Sequence, residues 1–133
     1  MKVHGSCHCG NIAFEAEVDP NACGVCHCTD CQKLCGSAFR VNVQAAAVTF
    51  KMLKGQPRIY IKTAESGNRR AHGFCGECGT PIYAAAPQNT PTYSIRIGTL
   101  DERAQFKPRR QIWRRSAMPW AMNIEALPAS EQQ

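Results

Sequence analysis

The sequence predicts a mainly β domain of short antiparallel strands, with at most one or two short helices and metal cross-links in place of disulfides. Three observations predict it: apolar/polar alternation in short runs, turn residues about every ten positions, and nine cysteines in tight motifs. The chain has 133 residues, the size of one domain. Its composition, 44% hydrophobic and 20% charged, excludes a disordered or fibrous class. Mean hydropathy is -0.35, and no stretch approaches the roughly 20 apolar residues of a membrane helix. The opening MKVHGSCHCG has no apolar run behind its lysine, so no secretory signal is expected and the expected location is cytoplasmic.

Alternation marks strands at 12–18 and 39–43, and further strand candidates run over 48–53, 58–62, 81–85 and 93–98. Gly55-Gln56-Pro57, Ser66-Gly67-Asn68 and Pro87-Gln88-Asn89 supply turns between them. One helix is expected around Cys31-Gln32-Lys33-Leu34, capped by Thr29 or Asp30 and ended by Gly36. It would place Cys31 at a helix N-terminus, where the dipole and free N–H groups favour a thiolate; a plain tight turn is the alternative. A single domain is expected over 1–128, followed by a polar tail, 129–133.

Nine cysteines cannot all pair with one another, and a reducing compartment keeps thiols free, so metal ligation is the expected role. Cys75-Gly76-Glu77-Cys78-Gly79 has the form of a zinc knuckle, its glycines permitting a sharp turn. Two thiolates leave a tetrahedral Zn²⁺ half satisfied, and Cys7-His8-Cys9-Gly10 is the natural second half. Strand alternation would turn Cys7 and Cys9 to one face and His8 to the other. Cys7, Cys9, Cys75 and Cys78 then make a closed, structural site.

The middle motif differs. Cys26, Cys28 and Cys31 supply three ligands, which leaves tetrahedral zinc one open position for a thiolate, water or carbonyl. Cys23 or Cys35 could each add a fourth thiolate and close that site, and a redox relay is a third reading. His8 and His27, each between two cysteines, are expected to face solvent or to support the ligands. Two Zn²⁺ per chain are therefore expected. The formal charge of +6 falls to about +3 once seven thiolates bind two Zn²⁺ ions. A balance that modest suits a small anionic substrate as well as nucleic acid.

The basic stretch Lys107–Arg115 sets arginines beside Trp113, a pattern that can contact phosphates and stack on bases. On the plainer reading Ile112 and Trp113 face the core and the arginines are ordinary surface charge. Met118-Pro119-Trp120 reads as packing or a pocket wall.

Taken in order, Gly5-Ser6-Cys7-His8-Cys9-Gly10, Cys26-His27-Cys28-Thr29-Asp30-Cys31-Gln32-Lys33, Gly36-Ser37-Ala38-Phe39, Phe74–Pro81 and Gly98-Thr99-Leu100-Asp101 resemble the glutathione-dependent formaldehyde-activating enzyme family. That family includes the domain of centromere protein V. The resemblance runs on to Ile112-Trp113 and Pro119-Trp120. It implies a zinc-bound β-tent fold of small antiparallel sheets. It also implies a structural zinc on Cys7, Cys9, Cys75 and Cys78 and a catalytic-type zinc on Cys26, Cys28 and Cys31. The activity it implies is carbon–sulfur lyase chemistry on adducts of a thiol, such as glutathione, with a small aldehyde, such as formaldehyde. Two positions depart from the family's pattern: Cys35, where many relatives carry a small non-cysteine residue, and Gln111, where histidine is expected. The competing class is a non-catalytic zinc module that binds protein or nucleic acid through its basic C-terminal third.

Overall fold

A computed structural model describes residues 1–133. It contains nine strands and one α-helix: β1 (Lys2–Ser6), β2 (Ala13–Cys26), α1 (Thr29–Cys35), β3 (Arg40–Ala46), β4 (Lys51–Lys54), β5 (Arg58–Thr63), β6 (Arg69–Phe74), β7 (Pro81–Ala85), β8 (Thr92–Arg96) and β9 (Arg110–Ile112). The mainly β, antiparallel architecture with one helix agrees with the class the sequence predicts. The turns expected at 55–57, 66–68 and 87–89 fall in the β4–β5, β5–β6 and β7–β8 connections.

The longest strand, β2, belongs to two sheets. Its first half pairs with β1 and β4, and its second half with β3 and, in parallel, with β9. A register shift between Val18 and Cys23, around Asp19-Pro20-Asn21, separates the halves. The larger sheet continues β3-β8-β7-β6-β5, all antiparallel. Val3, Phe14, Val18, Val43, Ala45, Ile95 and Leu100 fill the core between the sheets. Phe50 stacks on Phe14 and on Tyr93, with ring centroids 5.2 and 4.3 Å apart.

Three strands depart from the expected set. β1 and β9 are short, and β6, Arg69-Arg70-Ala71-His72-Gly73-Phe74, is too polar to read as a strand alone. β6 forms because β5 and β7 pair with both its edges, a case of tertiary pairing overriding weak propensity. The run over 48–53 divides into a 3-10 turn, Ala47–Thr49, and β4. Ile112 and Trp113 do not face the core: they are 47% and 51% exposed, on a short strand that pairs with β2 at the sheet edge. No helix is long and apolar enough to cross a membrane.

Candidate metal centres

The sulfurs of Cys7, Cys9, Cys75 and Cys78 lie within 4.8 Å of one another. Two knuckles build this group. In the first, the Cys7 N–H bonds the Ile12 carbonyl and the Ile12 N–H bonds Cys7 Sγ, at 3.1 and 3.2 Å. In the second, the Cys75 N–H bonds the Thr80 carbonyl and the Gly79 N–H bonds the Cys75 carbonyl, both at 2.9 Å. Gly10 (φ 80°) and Gly79 (φ 78°) take the left-handed conformation each turn requires. Gly76 does not; it lies against Arg58, whose Cδ would sit 2.6 Å from an added Cβ. The His8 N–H bonds Thr80 Oγ1 at 3.1 Å and ties the knuckles together. Residues 7–10 thus form a turn rather than the expected strand, and that turn leaves His8 exposed.

The donor set fits zinc. Tetrahedral thiolate ligation sets sulfurs about 3.8 Å apart. The Cys7–Cys9 and Cys9–Cys75 separations are 3.5 and 3.7 Å. The four sulfurs share protons unevenly. Hydrogen bonds from Thr80, through its hydroxyl and its N–H, bring Cys78 down to about 5. The Asn11 N–H favours the Cys9 thiolate, yet desolvation and the three neighbouring sulfurs push Cys9 up to about 12. A divalent cation lets all four ionise together.

Cys26, Cys28 and Cys31 form a second group, again with sulfurs within 4.8 Å of one another. Cys26 ends β2, and Cys28, not Thr29 or Asp30, caps α1: its sulfur accepts the Cys31 N–H at 3.2 Å. Gly36 closes the helix in the left-handed conformation, φ 66°. The favoured thiolate is accordingly Cys28. Burial opposes its ionisation, but the Cys31 thiol and N–H, Cys26 and the nearby Arg40 charge bring it below the usual thiol range. Cys31 moves the opposite way, first through burial and then through Cys28. Cys23 is fully buried in the core, and Cys35 Sγ points to the Phe39 carbonyl at 3.4 Å. Neither joins the group of three. No two of the nine cysteines form a disulfide.

His27 is fully buried. Its Nε2–H donates to Gln111 Oε1 at 2.9 Å, and its ring meets Phe39 edge-on. Gln111 thus serves His27 as a hydrogen-bond acceptor. Gln32 donates to the His27 and Ser116 carbonyls at 2.7 and 2.9 Å, fixing the cysteine loop to the C-terminal segment.

A cavity of about 210 Å³ opens beside the three sulfurs and is also lined by Arg40, Arg70, His72 and Trp113. Arg40 also walls a larger cavity of about 590 Å³, together with Cys35, Arg96 and Asp101. Lys62 is occupied by Asp30 of α1 at 2.7 Å. Arg96 is 7% exposed; burial first, then Arg40, brings it down to about 9, so it stays charged at neutral pH. Arginines on strands read as solvent-facing in the sequence, and nothing there singles out Arg40, Arg70, Arg96 or His72 as neighbours of the cysteines. Arg109, Arg110, Arg114 and Arg115 are exposed, with Arg115 lying over the Trp113 ring at 5.1 Å.

Residues 2–116 match the family model described as glutathione-dependent formaldehyde-activating enzyme, and the chain belongs to that family. A Halomonas elongata protein, whose name assigns it provisionally to the glutathione-dependent formaldehyde-activating enzymes, is 28% identical over 93 residues. The match covers 66% of this chain and 59% of that relative's length. A crystal structure of a Rhodobacter sphaeroides protein superimposes with a TM-score of 0.62 at 21% identity, covering 84% of this chain and 99% of the other. At that identity the likeness speaks for the fold.

Proposed function

We propose that this chain is a zinc-dependent, carbon–sulfur lyase-like enzyme acting on adducts of a thiol, glutathione or similar, with a small aldehyde such as formaldehyde. The observation that carries this is a group of three sulfurs, not four, opening into a cation-lined cavity in a chain of this family. Cys7, Cys9, Cys75 and Cys78 would hold one zinc structurally, and Cys26, Cys28 and Cys31 the other. Zinc on three thiolates supplies an open position that stabilises a thiolate at neutral pH and polarises a carbonyl.

The chain's own residues set the stage for the chemistry. Arg40 adds positive charge beside Cys28 and Cys31 and favours an anionic sulfur. Ile112 and Trp113 form an apolar wall of the small cavity. In the condensation, the sulfur pair forms the carbon–sulfur bond as the carbonyl pair moves to oxygen, which takes a proton. The thiol proton leaves to solvent, and no oxidant is needed. The reverse step breaks the same bond. The small cavity suits the reacting atoms, and the larger one lies within the usual size of ligand sites, roughly 300–1,000 Å³.

Cys28→Ser tests the assignment. It is expected to lower turnover of S-(hydroxymethyl)glutathione by about 100-fold or more, the scale of losing a ligand to a catalytic metal. Unchanged turnover would reject it. The non-catalytic alternative keeps one supporting observation, the exposed Arg109, Arg110, Arg114 and Arg115. A salt-sensitive DNA shift abolished by neutralising those four arginines would favour it instead.

A further inference from the structure

The larger sheet carries a cationic layer on one face. In β3, Arg40, Asn42 and Gln44 alternate with the core residues Val41, Val43 and Ala45, so they share the opposite face. Register carries that face across the sheet. Asn42 pairs with Arg96, Gln44 with Ser94, Ser94 with Ala84, Ala84 with His72, and Arg70 with Lys62. Three strands, β3, β6 and β8, thereby bring three arginines and a histidine to the side where α1 carries its cysteines. The only acidic residue in the smaller cavity, Asp30, is paired with Lys62.

Within this layer the unpartnered groups are all donors; the one other buried polar atom without a partner, His27 Nδ1, belongs to the cysteine loop. Arg40 Nε and Nη1, Arg96 Nε and His72 Nε2 are buried and meet no hydrogen-bond partner. Arg96 is otherwise fixed, its Nη1 donating to Asn42 Oδ1 at 2.7 Å and its Nη2 to His72 Nδ1 at 3.2 Å. A guanidinium can only donate, so His72 Nδ1 is the acceptor and the neutral ring carries its proton on Nε2. Buried donors without acceptors are costly, and a set of four calls for an anion. A planar carboxylate offers two oxygens in the geometry an arginine fork matches. The layer reaches the three sulfurs through the smaller cavity, which Arg40 and His72 line, and Arg40 and Arg96 continue it into the larger one.

We propose that Arg40, Arg96 and His72 form a carboxylate-binding subsite for the thiol substrate, so that the enzyme selects thiols bearing a carboxylate near the sulfur over neutral ones. This rests on the thiol chemistry proposed above. The test separates the two by calorimetry on zinc-loaded protein with three probes: glutathione, its dimethyl ester and S-methylglutathione. The ester keeps the thiol and loses the carboxylates; the S-methyl form keeps the carboxylates and blocks the sulfur.

Esterification is expected to weaken binding to the unaltered protein by about 10- to 100-fold, the scale of a charged hydrogen bond. Arg40→Gln is expected to weaken S-methylglutathione to the same degree and Arg40→Lys less. Arg40→Gln is expected to weaken the ester by less than it weakens glutathione, because only the effect of Arg40 on the sulfur remains for the ester. Melting temperature and zinc content check that the variants fold. Equal binding of glutathione and its ester, or S-methylglutathione indifferent to Arg40→Gln, overturns the subsite and leaves the thiol chemistry standing. Arg40-dependent binding of S-methylglutathione, with no binding of the ester, upholds the subsite and removes the thiol chemistry.

Discussion

The two cysteine groups use the same side chain and similar sulfur spacing, yet they are built into the molecule in opposite ways. Cys7 and Cys75 belong to the hydrophobic core, and their group joins segments 66 residues apart. Cys26, Cys28 and Cys31 lie within one short stretch, outside that core, and face a polar cavity. A metal on the first group closes a long loop and fixes how β1 meets the β6–β7 knuckle. A metal on the second stiffens only a strand end and one turn of helix. On the function proposed above, the same ligand chemistry would serve folding in one place and reaction in the other, decided by loop length and by what surrounds the sulfurs.

The largest expected effect breaks this comparison directly. Cys75→Ser should unfold the domain, since structural zinc contributes on the order of 10 kcal/mol to folding. Cys26→Ser should leave it folded. Circular dichroism melts of the two variants check this, and equal tolerance would erase the distinction. Next in size is Gly5→Ala. Gly5 pairs with Phe14 across β1–β2, and an added Cβ would sit 2.1 Å from the Phe14 ring. A loss of roughly 1–3 kcal/mol is expected from such overpacking, read by urea denaturation, with zinc lost from the first group before the second.

The smallest expected effect concerns pH on the cavity side. Burial, then Arg96 and Arg40, bring His72 down to about 4, against 6.5 for an unperturbed histidine. Between those values the unfolded chain holds a proton that the folded chain does not. Stability therefore falls as pH drops from 6.5 toward 4, by on the order of 2 kcal/mol. His72→Gln should flatten that part of the profile in denaturant titrations, with zinc release followed in the same samples by a metallochromic dye. An unchanged slope would show that His72 is not the group responsible.

Each cysteine motif was legible because residues close in sequence are close in space, and C-x-C and C-x-x-C spacing constrains geometry before any fold is known. Joining Cys7 and Cys9 to Cys75 and Cys78 rested on the four ligands a tetrahedral zinc needs. The helix at 29–35 was legible through Gly36, although its cap proved to be Cys28, whose sulfur the sequence marked only as a ligand. The polar strand β6 was not legible, because its pairing with β5 and β7 is a property of the sheet rather than of Arg69–Phe74. Nor was the layer of Arg40, Arg96 and His72. Its members are scattered along the chain, and only the order β3-β8-β7-β6 makes them neighbours. Spacing reveals local constellations; those assembled by long-range strand order require the fold.

The division of labour between the two cysteine groups is tested most directly by replacing zinc with Co²⁺ and recording the visible spectrum as glutathione is added. A closed four-thiolate site should not respond, while an open three-thiolate site should gain a thiolate-to-metal band. The expected result is a glutathione-dependent change from one of two cobalt ions per chain, absent in Cys26→Ser. A spectrum unmoved by glutathione, with two cobalt ions bound, would contradict an open site at Cys26, Cys28 and Cys31.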